Sequence, residues 1–268
     1  MAEGQLDLDW GERRQVATFE QANETSELIA GFRAQLETPE TVFPSVDEAA
    51  RLVEKWRGTP GEQPTVGIVT GCFDLTHPNH QYYLTIVRAS IARHHAESTG
   101  VAWDSLEVAQ QQAIMAGDGV KLVVSVDAND LVQGRKGQGS DFPRPINSWE
   151  QRAADVSRFT YPVNLQGERY LFPVADAVTI HTIRADFDGE GKPPSGDLDV
   201  IRAIGPDVWA VYEESWATNL AAASDYGVEI PMIQVATNNS LINPHTGEEY
   251  GTTDTAKWIT QGVEHGDA

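Results

Sequence analysis

The stretch from Val66 to His80 constrains the fold of this chain more than any other. It begins with five mostly β-branched or small residues typical of a strand, turns at Gly71, and reaches aromatic and aliphatic residues, Tyr82 to Val87, typical of a helix. A strand that turns through glycine into a helix leaves unpaired backbone N–H groups at the carboxyl edge of a sheet, where the helix dipole adds partial positive charge. The stretch therefore predicts a phosphate-binding turn in an α/β protein.

Two histidines, His77 and His80, stand three residues apart at the expected start of that helix. Residues at this spacing face the same side of a helical turn. Imidazoles so placed would donate hydrogen bonds to a phosphate and stabilise charge that develops on it. Cys72 is the one cysteine of the chain, which excludes an internal disulfide. No partner base for its thiol follows from the sequence, so we expect a packing residue and not a nucleophile.

Residues 70–80, TGCFDLTHPNH, resemble the G-x-F-D-x-x-H-x-G-H motif of the cytidylyltransferase-like nucleotidyltransferases. Asn79 stands where that family has glycine. The resemblance implies that His77 and His80 are catalytic. It also implies that the turn binds the nucleotide, through Gly71, Cys72, Phe73, Asp74 and Asn79.

A second stretch extends the resemblance. Lys121 to Asp127 predicts a buried strand, and a short helix, Lys136-Gly137, Arg-Pro-Ile-Asn and a further helix follow it. This order resembles the sugar-phosphate branch of the family, which includes glycerol 3-phosphate cytidylyltransferases and heptose 1-phosphate adenylyltransferases. The resemblance implies that Lys136 is catalytic through phosphate contacts. It implies an acceptor site formed by Asp127, Arg144 and Arg152.

Thr252 and Thr253 come late in the chain and resemble the second motif of the family, Ser-Thr-Thr at the start of a helix. Small hydroxyl residues at a helix N-terminus cap the helix and can bind phosphate oxygens. The resemblance implies that both threonines bind the triphosphate, although Gly251 replaces the serine. Residues 213–215, Glu-Glu-Ser, replace the Lys-Gly-Gly-Asp-like turn of the heptose branch, so the choice of base stays open.

Strands that alternate with helices predict an α/β, Rossmann-like fold with a doubly wound parallel sheet of five strands and ligands at the carboxyl edge. We expect this nucleotidyltransferase domain to span 63–268, with an insertion at about 93–119. Residues 1–62 predict an N-terminal helical extension that packs on the core or at a dimer interface. Its first helix is expected over residues 20–37, and its second follows a capping box of Ser45 and Glu48. We expect a loop over residues 161–170.

The charge of the chain is −21, from 40 acidic and 19 basic residues. Such a surface repels nucleic acid and anionic membranes, and no apolar run approaches the ~20 residues that span a bilayer. The start of the sequence lacks the basic and apolar regions of a signal peptide. We therefore expect a cytoplasmic protein, a homodimer, that binds neither nucleic acid nor membrane. Residues 135–169 hold six basic and four acidic residues, so this window is positive and suits an anionic substrate.

Three hypotheses about function remain open at this point. The first is a cytidylyltransferase that uses CTP and Mg²⁺ and acts on a small phosphate or phosphonate acceptor. The second is an adenylyltransferase that uses ATP on a sugar phosphate of the heptose 1-phosphate type. The third is a nucleotide-binding regulatory protein in which Asn79 and Gly251 mark the loss of catalysis. No metal-binding residues follow from the sequence.

Overall fold

Five parallel strands form the central sheet of the protein. The computed structural model describes residues 41–58, 63–117, 119–136, 144–165, 168–182 and 196–235. The described residues form seven strands: β1 Thr65–Gly71, β2 Val120–Asp127, β3 Thr160–Leu165, β4 Glu168–Pro173, β5 Ala177–His181, β6 Val208–Tyr212 and β7 Met232–Val235. The central sheet has the order β5-β2-β1-β6-β7, and each neighbouring pair is parallel. The strand order therefore reverses between β1 and β6, where such sheets bind ligands.

Helices cover both faces of this sheet. They are α1 Val46–Arg57, α2 Pro78–Ser98, α3 Val108–Ala116, α4 Asn129–Lys136, α5 Trp149–Ser157, α6 Asp197–Ile204 and α7 Trp216–Asp225. One core joins the sheet to α2, α3 and α5, and a second joins the opposite face to α1, α6 and α7. Successive residues of β1, Ile68 and Val69, belong to opposite cores, as expected for a strand buried on both faces. The predicted five-stranded, doubly wound α/β fold is confirmed.

Close packing of α2 on β1 fixes where the β1–α2 turn lies. Gly67 faces Ile91 of α2, and a Cβ atom at position 67 would lie 2.2 Å from Ile91 Cδ1. Because glycine has no side chain, the helix approaches the strand more closely than any other residue at position 67 would allow. The first turn of α2 is thus held beside the carboxyl end of β1.

The second helix of the N-terminal region is present as α1. The side chain of Ser45 accepts a hydrogen bond from the backbone N–H of Glu48 at 3.3 Å, which confirms the predicted N-cap. Ala49 and Val53 of this helix are buried against α6 and the sheet. The helix predicted over residues 20–37 lies outside the described residues, as do Gly251, Thr252 and Thr253.

A loop was predicted over residues 161–170, but residues 161–165 and 168–170 instead belong to the antiparallel strands β3 and β4. Tyr161 and Val163 point inward, with exposed fractions of 2% and 0%. This alternation is a strand pattern, and Pro162 lies between the two inward-facing residues. Proline is tolerated in an edge strand, and both strands of a two-stranded hairpin are edges. The prediction of a loop was therefore wrong.

The segment predicted as an insertion, 93–119, is described except for residue 118. It contains the end of α2, a short 3₁₀ turn at Trp103–Ser105, and α3. Trp103 and Met115 are buried in the core beneath it, with 1% and 3% of their surface exposed. Within the described ranges, no helix is both long and apolar enough to cross a membrane.

Candidate functional site

The turn between β1 and α2 lies at the carboxyl edge of the sheet, beside the point where the strand order reverses. We call residues 71–80 the β1–α2 turn. Phe73 and Leu75 have φ angles of 49° and 48°, in the left-handed region that residues with side chains rarely adopt. Such conformations cost roughly 1–3 kcal/mol each and persist only where the surroundings enforce them. A Cβ atom at Gly71 would lie 3.0 Å from the Phe73 ring, so the glycine leaves room for that ring to fold inward.

Asp74 is one of the groups that enforce this conformation. Its carboxylate accepts hydrogen bonds from the backbone N–H groups of Ile146 at 3.1 Å and Asn147 at 3.0 Å. Arg144 Nε lies 3.4 Å from the same carboxylate, which is almost fully buried. The resemblance assigned Asp74 to the nucleotide and Arg144 to the acceptor. In the structure the two side chains contact each other, so Asp74 holds segment 144–147 against the turn.

Arg152 is a second side chain that holds the turn in place. Its guanidinium donates to the carbonyl of Cys72 at 2.6 Å, to Asn129 Oδ1 at 2.9 Å and to the carbonyl of Asn147 at 3.1 Å. The side chain has no exposed surface. Arg152 was predicted to bind the acceptor. Its contacts are those of a positioning residue, because it joins the turn, the start of α4 and segment 144–147.

His77 and His80 are brought together at the start of α2. Their ring centroids are 3.8 Å apart, and the planes are inclined by 30°. The backbone N–H of His77 donates to Nδ1 of His80 at 3.3 Å. An Nδ1 atom that accepts a hydrogen bond carries no proton, so the neutral ring of His80 has its proton on Nε2.

Both imidazoles are neutral at neutral pH. Burial lowers the pKa of His77 to about 4. Burial, with the nearby His77 and Lys136, lowers the pKa of His80 to about 3. Taking a charged imidazole out of water is unfavourable, and no carboxylate of the described residues offsets this effect on the two pKa values. The turn therefore presents neutral rings, with His80 set to donate through Nε2.

Lys136 is the last residue of α4, and its side chain is exposed. Its charge lowers the pKa of His80 and acts in the same direction on the pKa of Cys72, so the structure brings Lys136 near the turn. Burial is the largest influence on Cys72 and raises the pKa of its thiol. A neutral, buried thiol is a poor nucleophile. Asn79 lies in the first turn of α2, half-buried.

Asp127 ends β2 at the same edge of the sheet, but its carboxylate faces a buried histidine. Nε2 of His181, the last residue of β5, lies 3.2 Å from Asp127 Oδ1 and 2.6 Å from Asp197 Oδ1. Ser125 Oγ lies 2.9 Å from Nδ1 of the same ring. Burial lowers the pKa of His181, but the two carboxylates more than offset burial and raise it to about 9. The predicted acceptor residue Asp127 is thus part of a buried charged cluster.

Sequence reasoning assigned no role to His181 or Asp197. The available signal was weak: His181 ends a predicted strand, as Asp127 does, and parallel strands end at one edge. Tyr212 was also missed. It ends β6 across the reversal point from β1, and its ring meets that of Tyr83 edge to face, with centroids 5.7 Å apart. These two rings form an aromatic pair next to the β1–α2 turn.

The described part of the chain contains no cluster of three or more His, Cys, Asp or Glu residues that would hold a metal ion. Asp74, the acidic residue of the turn, is already engaged by Arg144 and two backbone N–H groups. Mg²⁺ commonly binds through one or two carboxylates together with substrate phosphates.

The chain matches no protein-family model and no curated protein. Among solved structures, 60 chains match it. One is the lipopolysaccharide core biosynthesis protein from Thermoplasma volcanium GSS1, with 16% sequence identity and a TM-score of 0.35. The match covers 65% of this chain and 98% of that chain. At this level of similarity the match carries no argument about function.

Proposed function

We propose that this protein is a nucleotidyltransferase. It transfers a nucleoside monophosphate, with CMP favoured, from a nucleoside triphosphate to a small acceptor that bears a phosphate or phosphonate, and it releases pyrophosphate. The observation that carries the proposal is the β1–α2 turn. There a strained backbone and two stacked neutral imidazoles lie together at the start of a helix, where the sheet order reverses.

The geometry of this turn suits an anionic phosphate. The N-terminus of α2 carries partial positive charge from the helix dipole, which favours an anion. A neutral His80 ring adds an Nε2–H donor without the strong hydration that a charged group would have to lose. Lys136 contributes a positive charge beside the same ring. These groups favour a ligand whose negative charge is concentrated on a few oxygen atoms.

In the proposed reaction, an oxygen of the acceptor phosphate attacks the α-phosphorus of the triphosphate in line. The new oxygen–phosphorus bond forms as the bond from the α-phosphorus to the bridging oxygen breaks, and pyrophosphate leaves with that oxygen and its electron pair. No covalent enzyme intermediate is needed, because positioning and charge stabilisation supply the acceleration. His77 and His80 stabilise the α-phosphate and the leaving oxygens. Magnesium enters as part of the nucleotide substrate and neutralises the triphosphate.

The roles of the surrounding residues follow from their contacts. Asp74 and Arg152 keep the strained turn and segment 144–147 in register. Arg144 and Asp127, which the resemblance assigns to the acceptor, contact Asp74 and His181 in the structure. Thr252 and Thr253, outside the described residues, would bind the triphosphate as the resemblance implies.

One observation favours a second candidate, an adenylyltransferase that acts on a sugar phosphate. The Arg-Pro-Ile-Asn segment, which resembles that branch, is held directly against the turn by Asp74. The base would then be adenine rather than cytosine. The reacting groups and the order of bond changes are the same in both candidates, so nucleotide selectivity distinguishes them.

The first test is a thermal-shift series with Mg²⁺ and each of CTP, ATP, GTP and UTP. A ligand at one hundred times its dissociation constant stabilises the folded state by about 2.7 kcal/mol, which is readily measured. We expect a selective rise in melting temperature with CTP. A selective rise with ATP would favour the adenylyltransferase, and no rise with any nucleotide would contradict the proposal and favour another role for the turn.

The test variant is His80→Ala, and its matched control is His94→Ala. His94 lies on the same helix, away from the turn. We expect His80→Ala to lose activity and His94→Ala to keep it, measured as nucleotide-dependent release of pyrophosphate with phosphate and phosphonate acceptors. Pyrophosphate release in any pairing of nucleotide and acceptor would exclude the regulatory hypothesis.

A further inference from the structure

A buried charged cluster lies at the carboxyl edge of the sheet, on the side of β2 away from β6. We call Ser125, Asp127, His181 and Asp197 the His181 clamp. These residues belong to β2, β5 and the first turn of α6, so the clamp joins three separate elements. None of their side chains is more than 11% exposed. Nε2 of His181 lies between two carboxylate oxygens, at 2.6 and 3.2 Å.

The clamp requires a proton on both nitrogen atoms of His181. A neutral imidazole would leave the carboxylates of Asp127 and Asp197 buried side by side without a cation between them, which is strongly unfavourable. Neither Nε2 contact has the direction of a good hydrogen bond, so charge attraction accounts for most of the interaction. Ser125 Oγ is placed to accept the proton on Nδ1.

The clamp is connected to the β1–α2 turn through Asp127. In the sheet register, Asp127 pairs with His181, and the preceding residue Val126 pairs with Gly71. The carboxylate of Asp127 raises the pKa of the Cys72 thiol and opposes the lowering of the Arg152 pKa by burial. Asp127 therefore lies between the cation of His181 and the residues that hold the turn.

We propose that His181, as an imidazolium between Asp127 and Asp197, is a positioning residue that holds the Asp127 carboxylate against the β1–α2 turn. His181 touches no substrate; it acts through Asp127. Any effect of this positioning on an acceptor rests on the proposed function. The contacts of His181 with Asp127 and Asp197 do not depend on it. If His181 is removed, Asp127 loses its cation and the turn loses one of its supports.

The first test is an NMR titration of the histidine rings in the intact chain without ligand. We expect one imidazole with the nitrogen shifts of an imidazolium up to a pH of about 9, and we expect Asp197→Asn to lower that midpoint. Asp197→Asn keeps the imidazole and Asp127, so it serves even if variants of His181 do not fold. A His181 midpoint near 6.5, or one unmoved in Asp197→Asn, would overturn the proposal.

The second test asks whether His181 acts through Asp127. We expect His181→Gln to shift the backbone amide resonances of Cys72 and Phe73 more than Ser125→Ala does, because Ser125→Ala leaves both carboxylates and the imidazole in place. In an Asp127→Asn background, His181→Gln should no longer move these resonances. An equal shift in both backgrounds would show that His181 is only a structural residue.

The two proposals fail in different ways. The amide and titration measurements need no nucleotide, so they stand or fall on the clamp alone. Absence of nucleotide binding in the thermal-shift series would contradict the nucleotidyltransferase proposal and leave these results unaffected.

Discussion

The protein has histidines at two places on one edge of its sheet, and they are neutral at one place and positively charged at the other. In the β1–α2 turn, His77 and His80 have pKa values lowered to about 4 and 3. In the His181 clamp, the pKa of His181 is raised to about 9. Burial acts in the same direction at both places, so the difference comes from the carboxylates. Among the described residues, no carboxylate contributes to the lowered pKa of either ring in the turn, whereas the clamp has two carboxylate oxygens within 3.2 Å of His181 Nε2.

This difference separates two tasks. Neutral rings remain available as hydrogen-bond donors toward a bound anion and do not change protonation near neutral pH. A cation fixed between two carboxylates is fully engaged with the protein and so stabilises structure or orients a neighbour. Four predictions test this comparison.

The largest effect is expected from His181→Leu, which leaves two carboxylates buried without their cation. Removing one partner of a buried ion pair typically costs about 3–5 kcal/mol, and we expect a loss of this size in the free energy of unfolding at pH 7. Urea denaturation monitored by circular dichroism measures it. Ser125→Ala, which removes one neutral contact of the same ring, should cost no more than about 1 kcal/mol. Equal losses in the two variants would show that the charge contributes little.

His80→Ala should leave the fold intact and reduce turnover by about 10²- to 10³-fold, since that is the usual effect of losing one donor to a developing charge. Pyrophosphate release under saturating nucleotide measures the rate, and urea denaturation checks the fold. His94→Ala provides the reference on the same helix. Near-normal turnover in His80→Ala would remove the turn from the proposed chemistry.

The dependence of stability on pH should have opposite signs in the two regions. The raised pKa of His181 gives stability that is complete below pH 6.5 and is lost as the pH rises through about 9, a change of about 3 kcal/mol. The lowered values of His77 and His80 give a loss as the pH falls from 6.5 toward 4 and 3, because the unfolded chain then binds more protons. Urea midpoints from pH 4 to 10 measure both limbs. His181→Gln should flatten the alkaline limb alone, and an unchanged alkaline limb would contradict the charge assignment.

Asp74→Asn should have the smallest effect of the four. It removes the charge that binds Arg144 and weakens the bonds to the backbone of Ile146 and Asn147, and hydrogen bonds to charged groups contribute about 1.5–3 kcal/mol. We expect unfolding free energy to fall by an amount in or below this range. Glu150→Gln, an exposed change on α5, should stay within about 0.5 kcal/mol of the original protein. A loss for Asp74→Asn no larger than this would mean that the turn is held by other contacts.

The sheet could be predicted from the sequence because its strands carry short apolar runs separated by turn residues and helices. Local pattern sufficed for β1, β2, β5, β6 and β7, and the alternation of these strands with helices predicted that they are parallel. The β3–β4 hairpin was missed because residues 161–170 were interpreted as a loop, although a proline at position 162 does not exclude an edge strand. The order of residue types along the chain does not show whether a strand will lie at the edge of a sheet, where proline is tolerated.

The sequence predicted where the candidate site lies better than it predicted which side chains contact one another there. The motif residues His77 and His80 lie together as expected, but the directions of Asp74, Arg152 and Asp127 depend on partners distant in the sequence. Asp74 faces segment 144–147, and Asp127 faces His181. Such pairings depend on tertiary packing, which residue types and spacing alone do not determine.

Cys72 gives the protein a natural probe of its own site. It is the one cysteine in the chain, it is buried in the β1–α2 turn, and its carbonyl is held by Arg152. An alkylating reagent reaches such a thiol mainly when the surrounding segment opens. The rate of modification therefore reports the local opening equilibrium of the turn, separately from global unfolding and without an introduced label. Protection of this thiol by a ligand would identify the turn as the place where that ligand binds.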